Sequence, residues 1–356
     1  MNEDEYKTRA FYKFKRDFFR VAGDIEGEIK NGWHWNVGIG VLGYMINSCD
    51  IKMLNGKRQY SIDSITGEPT DRKALNPDAG SLYQKYIDWG LINKDEEQGG
   101  WHPYIRGGIT FDTRDRRQCP TKGIYSDIFF TYTAAFDAEY GNQASAGFNH
   151  LQVNFNFRHY VSCYLDKIIF AYRVGIQNTI AGKTPFYMNS YLNTLFIQRV
   201  LYEGLGGGNS LRGILRNRIL ANGVAYANIE FRFRVVNFDI GRQHFYIGLN
   251  PFFDIGTVTQ AYNLNKIVYN NKSLSLEESI IQNNIAKGLT DNYTDYFGPK
   301  KDTYLPHCAV GIGLKVGMNE NFVLSVDWAM PVNSNKYRLQ DNGKVANFYV
   351  KMGYLF

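Results

Sequence analysis

The sequence predicts an all-β protein, a transmembrane antiparallel β-barrel, and three observations carry this prediction. Tyrosine (26), phenylalanine (24) and glycine (35) are abundant among the 356 residues, which suits strands and tight turns. Apolar and polar residues alternate with a period of two over long segments. The polar positions of these segments carry arginines and carboxylates, and such charges suit a wet lumen opposite a lipid-facing surface.

The alternation is clearest in residues 151–161, and it recurs in residues 168–176 and 229–235. In the last of these, aromatic and aliphatic residues occupy one face, while Glu230 and Arg232 occupy the other. A soluble β-sandwich also alternates, but charges rarely line a dry core. The pattern therefore favours a membrane barrel over a large soluble barrel.

Eleven segments read as strands, and their connections alternate between short and long. The predicted strands are residues 8–29, 33–50, 102–115, 123–136, 148–162, 167–181, 224–236, 243–259, 307–318, 321–330 and 347–356. The short connections are residues 30–32, 164–166, 237–242 and 319–320, and the long ones are residues 51–101, 182–223, 262–306 and 331–346. Short turns at one rim and long loops at the other are the layout of an outer-membrane barrel.

The odd strand count has a consequence for the extent of the domain. Bacterial single-chain barrels have even numbers of strands, and the first residues carry acidic side chains without the apolar core of a secretory signal. We therefore expect residues 1–356 to form one partial barrel domain, the C-terminal part of a longer protein. An intact barrel of twelve strands, one of them missed, is the alternative.

Other functional classes find little support in the sequence. The formal net charge of +6 is modest and the basic residues are scattered, so nucleic-acid binding is not expected. The four cysteines and six histidines show no metal-ligand spacing. No nucleophile elbow or phosphate loop is present. We expect no catalytic residues, no metal and no cofactor, with an outer-membrane hydrolase kept as a minor alternative.

Five segments, in order, resemble the bacterial surface antigen domain, the barrel of the BamA/TamA-like outer-membrane assembly and translocation superfamily. They are Phe111-Asp-Thr-Arg-Asp115 with Pro120-Thr-Lys-Gly123, Gly206-Gly-Gly-Asn-Ser-Leu-Arg-Gly213, Ile229-Glu-Phe-Arg-Phe233, Phe252-Phe-Asp-Ile-Gly256, and residues 310–330. Residues 6–15 and 210–218 look like the Bacteroidota branch of that family. The loop motif departs from the family at Leu211, where Val is common, and at Ile214, where an aromatic residue is usual.

The resemblance implies a sixteen-strand barrel of which about eleven strands are present here, without the periplasmic POTRA modules. It also implies insertion and assembly of outer-membrane proteins, or polypeptide translocation, in the outer membrane of a Gram-negative bacterium. The implied partners are outer-membrane lipid, client polypeptides and periplasmic accessory proteins. A passive diffusion pore is the alternative from another class.

In the family the long loop folds back into the barrel, where its arginine contacts acidic residues of the inner wall. The resemblance carries this role to Arg212 and Gly213, which follow the glycines Gly206, Gly207 and Gly208. The strand phases place Glu230 and Asp254 on inward faces. We therefore expect a latch in which Arg212 pairs with both carboxylates.

Three further groups of residues have structural interpretations. Asp112, Arg114, Asp115, Pro120 and Gly123 are expected to stabilise a periplasmic turn. The last strand, with Phe348, Tyr354 and Phe356 on one face together with Val350 and Met352, is expected to form one side of the weakly paired seam that the resemblance implies. Basic residues outnumber acids among the predicted lumen positions and are expected to pair locally, with a mildly anion-attracting interior as the alternative; they are Arg158, Arg173, Arg232, Arg234 and Lys315.

Overall fold

The structure, a computed structural model, describes residues 14–48, 83, 87, 92, 96–137, 149–164, 167–196, 200–201, 203–262, 304–319, 322–332 and 346–356. Within these residues, no helix has the length and apolar character needed to cross a membrane. The described residues are mainly β-strand, and Phe186–Met188 forms a turn of 3₁₀ helix.

Eleven long strands and three two-residue strands make up the described chain. They are β1 Phe14–Lys30, β2 Trp33–Ser48, β3 Gly99–Asp112, β4 Gly123–Thr133, β5 Phe136–Asp137, β6 His150–Tyr164, β7 Ile168–Gly182, β8 Leu192–Asn193, β9 Val200–Leu201, β10 Gly223–Ile240, β11 Gln243–Gln260, β12 His307–Met318, β13 Phe322–Pro331 and β14 Asn347–Met352. The prediction of an all-β chain with eleven principal strands is confirmed.

The long strands form one antiparallel sheet in the order β1-β2-β3-β4-β6-β7-β10-β11-β12-β13-β14. Consecutive long strands are therefore neighbours, and β10 pairs with β7 although residues 183–222 separate the two strands along the chain. In the described part of the chain, β1 and β14 each pair on one side only, so the sheet is not closed. Residues from β1 to β14 nevertheless line one internal cavity, which shows that the sheet curls around an interior.

Burial along the strands is the reverse of that in a soluble protein. On β6 the polar residues Gln152, Asn154 and Asn156 are buried, whereas the intervening Val153 and Phe155 are partly exposed. On β12 and β13 the charged Lys315 and Asp327 are buried, while Leu314, Leu324 and Val326 are 37–47% exposed. An apolar outer surface around a polar interior is the pattern of a membrane barrel.

Several predicted boundaries are wrong. The predicted connection 237–242 is strand as far as Ile240, and only Gly241 and Arg242 form the turn. The polar residues that suggested a loop belong to a hairpin that extends beyond the alternating region. Predicted residues 8–13 of the first strand and 49–50 of the second lie outside the described residues.

The last strand is shorter than the predicted residues 347–356. Pairing with β13 ends at Met352, and Gly353 then adopts a φ of +89° with no atom near the position of a Cβ. The chain turns off the sheet, so Tyr354 and Phe356 do not share the outward face of Phe348. Phe348 is 72% exposed, whereas Phe356 is 8% exposed.

Candidate functional site

The connection between β7 and β10, residues 183–222, is called the inner loop below, and its residues 205–214 lie inside the curled sheet. Its described apolar side chains Leu205, Leu211 and Ile214 are buried against Val224 of β10 and Val258 of β11. These apolar contacts hold residues 205–214 against the inner wall independently of any ionic interaction. The inner loop therefore occupies part of the interior.

The glycine-rich part of the inner loop folds into a compact turn. Gly206 and Gly207 have φ values of +138° and +86°. The hydroxyl of Ser210 accepts a hydrogen bond from the Gly206 N–H at 2.9 Å and donates one to the Gly206 carbonyl at 2.8 Å. The Gly207 N–H donates to the Ile214 carbonyl at 2.8 Å, so the turn closes on itself and presents residues 211–213 to the wall.

Arg212 is fully buried at the tip of this turn. Its Nε and Nη2 donate to the two carboxylate oxygens of Asp254 at 2.8 and 2.9 Å, and its backbone N–H donates to the same carboxylate at 3.0 Å. The guanidinium lies over the ring of Phe252, 3.3 Å from its centroid. Such a bidentate pair, stacked on an aromatic ring, fixes both the position and the plane of an arginine.

Two more carboxylates complete the surroundings of Arg212. Its Nη1 lies 2.9 Å from Oε1 of Glu230 and 3.3 Å from Oδ2 of Asp327. All three carboxylate side chains have no solvent exposure. Arg212 thus meets carboxylates from β10, β11 and β13, and Glu230 and Asp254 lie where the strand phases place them.

Three further cations balance these carboxylates. Arg232 pairs with Glu230 at 3.1 Å, Lys351 of β14 pairs with Asp327 at 3.1 Å, and Lys315 of β12 pairs with Asp327. The seven groups are called the arginine cluster below; they are Arg212, Glu230, Arg232, Asp254, Lys315, Asp327 and Lys351. With four cations and three carboxylates, the cluster is close to neutral, as a buried charge network requires.

Sequence reasoning did not include Asp327 and Lys351 in the site. A signal was present, because Asp327 shares the polar phase of Ser325 on β13 and Lys351 shares the polar phase of Asn347 and Tyr349 on β14. The strand phases do not show that Arg212 extends past β11 as far as β13, which lies two strands further along the sheet.

The inward face of β14 holds the inner loop directly. Asn347 Nδ2 donates to the Gly213 carbonyl at 3.1 Å, and the Tyr349 hydroxyl accepts from the Gly213 N–H at 3.0 Å. Lys351 Nζ donates to the Gly208 carbonyl at 3.0 Å. Three successive inward residues of the last strand therefore bind the loop backbone, an arrangement that sequence analysis did not predict.

This contact explains two of the glycines. A Cβ at Gly208 would lie 2.9 Å from the Tyr349 ring. Gly213 has a φ of +87°, and a Cβ there would lie 2.7 Å from the Cβ of Ala309. The loop backbone can approach the wall this closely only because these residues have no side chain.

The end of the chain also contacts the interior. The Tyr354 hydroxyl lies 3.3 Å from that of Tyr246, and the guanidinium of Arg232 lies 4.2 Å from the Tyr354 ring centroid. Arg232 Nη2 donates to the Phe356 carbonyl at 2.8 Å, and Phe356 packs beside Tyr160 of β6. Residues 354–356 are thus interior side chains and not part of a seam strand.

The predicted turn residues between β3 and β4 are brought together. Arg114 forms a bidentate pair with Asp112, through Nε at 2.9 Å and Nη2 at 2.8 Å. Asp115 accepts hydrogen bonds from the Thr121 N–H and hydroxyl at 2.9 and 2.7 Å and from the Lys122 N–H at 3.2 Å. Pro120 is buried next to this carboxylate, and Gly123 leaves the turn with a φ of +105°.

The turn should respond to acid through Asp115. Burial acts to raise the pKa of Asp115, but the hydrogen bonds from Thr121 and Lys122 and the nearby Arg116 outweigh it and hold the pKa below its ordinary value. A carboxyl group with a depressed folded-state pKa stabilises the fold above its unfolded pKa of about 4 and loses that contribution as the pH falls. We expect Asp115→Asn to lower the melting temperature at pH 7 and to lower it by less near pH 3, where part of the contribution of the ionised carboxylate is already lost. Melting curves of both proteins at the two pH values measure this, and an equal difference at both would contradict it.

Among the described residues, no three His, Cys, Asp or Glu side chains come together to hold a metal ion. The arginine cluster has no nucleophile paired with a general base. Its chemistry is that of a buried ionic contact between a loop and a wall.

Comparison with known proteins identifies the family. The model of the Omp85 superfamily domain matches residues 37–356, and no curated protein gives a significant sequence match. Among solved structures, BamA from Haemophilus ducreyi lacking POTRA domains 1–3 aligns with a TM-score of 0.53 and 16% identity, over 96% of this chain and 55% of that one. The chain thus spans about half the length of this relative. Members of the superfamily are outer-membrane proteins of Gram-negative bacteria and generally not enzymes. The match over nine-tenths of the sequence, on a sheet of the same fold, shows that the chain belongs to the Omp85 superfamily.

Proposed function

We propose that this protein acts in the outer membrane of a Gram-negative bacterium, in the insertion and assembly of outer-membrane proteins or in polypeptide translocation. Its partners would be outer-membrane lipid, client polypeptides and periplasmic accessory proteins. The proposal rests on the pairing of the last strand. β14 pairs with β13 over six residues only, and in the described chain its other edge has no partner.

An unpaired strand edge presents a row of backbone N–H and C=O groups that can bind an extended segment. On β14 this edge lies beside strongly exposed apolar side chains, with Phe348 and Val350 both 72% exposed. A client strand that paired here would place its own apolar residues on the same lipid-facing side. The inner loop holds the opposite, inward side of β14, so the edge is presented on a strand that is fixed from within.

The same loop argues against a passive pore. Residues 205–214 and the arginine cluster occupy the interior, where an open pore needs a water-filled path. No comparable feature supports a hydrolase, because the charged groups of the arginine cluster pair with each other.

Cysteine cross-linking tests the proposed role of β14. In a background with all four native cysteines replaced by serine, Val350→Cys is compared with Val326→Cys, its register partner on β13, which also faces outward but is paired on both sides. The probe is a urea-denatured outer-membrane barrel protein with one cysteine in its last strand, diluted onto the protein in lipid vesicles with a mild oxidant. We expect a mixed disulfide at position 350 in at least about tenfold greater yield than at position 326. Equal yields, or none at 350, would remove the support for strand pairing at this edge.

A further inference from the structure

Among the described residues, two buried arginines of the inner wall do not pair locally with a carboxylate. Arg158 of β6 and Arg173 of β7 are directly opposite each other in the register and are 7% and 3% exposed. Like charges directly opposite on neighbouring strands are destabilising, and burial increases that cost. Within the part of the chain that the structure describes, neither arginine lies within ion-pair distance of a carboxylate.

Their hydrogen bonds do not neutralise them. Arg158 Nη2 donates to the Thr194 carbonyl at 3.1 Å, and its buried Nε has no partner among the described residues. Arg173 donates to the side-chain oxygen of Asn228 at 2.7 Å and to the Asn209 carbonyl at 2.6 Å. All of these acceptors are uncharged. The cations of the arginine cluster, by contrast, pair with carboxylates.

Both arginines line one cavity of about 480 Å³. Its charged walls contain four arginines and two carboxylates, Glu26 and Asp112, and Asp112 pairs with Arg114. Among the side chains that line the cavity, positive charges therefore exceed negative ones by two. Its other side is apolar, formed in part by Phe322, Val323, Leu355 and Phe356.

We propose that Arg158 and Arg173 form a phosphate-binding subsite in the interior of the protein. Two guanidinium groups match the charge of a phosphate dianion or phosphate monoester and offer several N–H donors to its oxygens. A carboxylate would neutralise only one of them. The apolar wall gives room for a hydrophobic group attached to the phosphate, so the ligand is inorganic phosphate or the headgroup of a phosphate monoester lipid. This assignment does not rest on the proposed role in assembly or translocation.

Calorimetry of the purified protein in phosphate-free detergent tests the subsite, with inorganic phosphate as the first probe and phosphatidic acid in mixed micelles as the second. We expect one saturable site, at least about tenfold weaker in Arg158→Gln and in Arg173→Gln. Arg242→Gln, which removes the same charge from an exposed turn, should stay within about twofold of the wild type. Phosphatidic acid that binds more tightly and displaces phosphate identifies a lipid headgroup, whereas phosphate binding without competition identifies the free ion.

Thermal stability separates a ligand site from a purely structural pair. Without phosphate, Arg158→Gln should melt at or above the wild-type temperature, because it relieves repulsion between buried charges. Added phosphate should raise the melting temperature of the wild type but not of the variant. No saturable binding of either probe to the wild type would overturn the proposal, and so would a variant that is destabilised without phosphate yet binds it normally.

Discussion

Arg212→Glu is expected to prevent stable folding, the largest effect of any single substitution considered. The change places a fourth carboxylate against Glu230, Asp254 and Asp327, which are all fully buried. Removing one partner from a buried ion pair costs about 3–5 kcal/mol, and the added repulsion increases this. Since folded proteins are stable by only about 5–15 kcal/mol, most of the variant should be unfolded. The fraction of folded protein on unheated electrophoresis gels and urea unfolding curves measure the effect.

The charge-reversed pair provides the rescue. Asp254→Arg in the Arg212→Glu background restores a cation to the cluster within reach of Glu230 and Asp327, so folding should return in part. Arg242→Glu, at the exposed turn after β10, makes the same change of charge and should fold normally. An Arg212→Glu protein with wild-type stability would mean that the interior solvates these groups. Pore conductance in lipid bilayers that is unchanged by Arg212→Ala would favour the passive-pore alternative.

Gly213→Ala is expected to have the second largest effect, by preventing the inner loop from reaching its place. A non-glycine residue at a positive φ costs about 1–2 kcal/mol. The new Cβ would also lie 2.7 Å from the Cβ of Ala309 and 3.2 Å from the backbone of Met330, and overpacking of this kind costs about 1–3 kcal/mol. Urea unfolding should show the sum of both costs. Limited proteolysis of the inner loop should be faster than in the wild type.

Gly241→Ala is the matched control for this substitution. Gly241 also has a positive φ, +63°, but no atom lies within 4 Å of the position of a Cβ. Only the conformational cost should therefore appear, and the inner loop should keep its resistance to proteolysis. If both variants lose the same stability, the close approach of Gly213 to β12 contributes nothing measurable.

The strands and half of the site were predictable because both follow from a period of two. Alternation in β10 and β11 determines that Glu230 and Asp254 point inward, and the two strands are consecutive, so their proximity follows from the antiparallel layout. Asp327 and Lys351 obey the same period but belong to strands that are not consecutive with β10. Their part in the site depends on how far the inner loop spans the interior, and strand periodicity contains no information on that distance.

The last residues show where alternation misleads. Tyr354 and Phe356 continue the outward phase of Phe348 in the sequence, yet the chain leaves the sheet at Gly353. A positive φ at one glycine changes the direction of the chain that follows. A glycine inside an alternating segment does not show in the sequence whether it continues the strand or ends it. Local pairing of the interior arginines was likewise expected, and it fails at Arg158 and Arg173, whose lack of carboxylate neighbours among the described residues is a property of the assembled wall.

The hydrogen bonds from Asn347, Tyr349 and Lys351 to the inner loop link two equilibria, the seating of the loop and the attachment of β14. Coupling free energies are reciprocal. Suppose that a client segment binds the edge of β14 more tightly when the loop is seated. Its binding must then increase the equilibrium constant for loop seating by the same factor. Conversely, a ligand that displaces the loop must weaken the binding of that segment by an equal factor, although the loop contacts the inward face of β14 and the segment would pair with its edge.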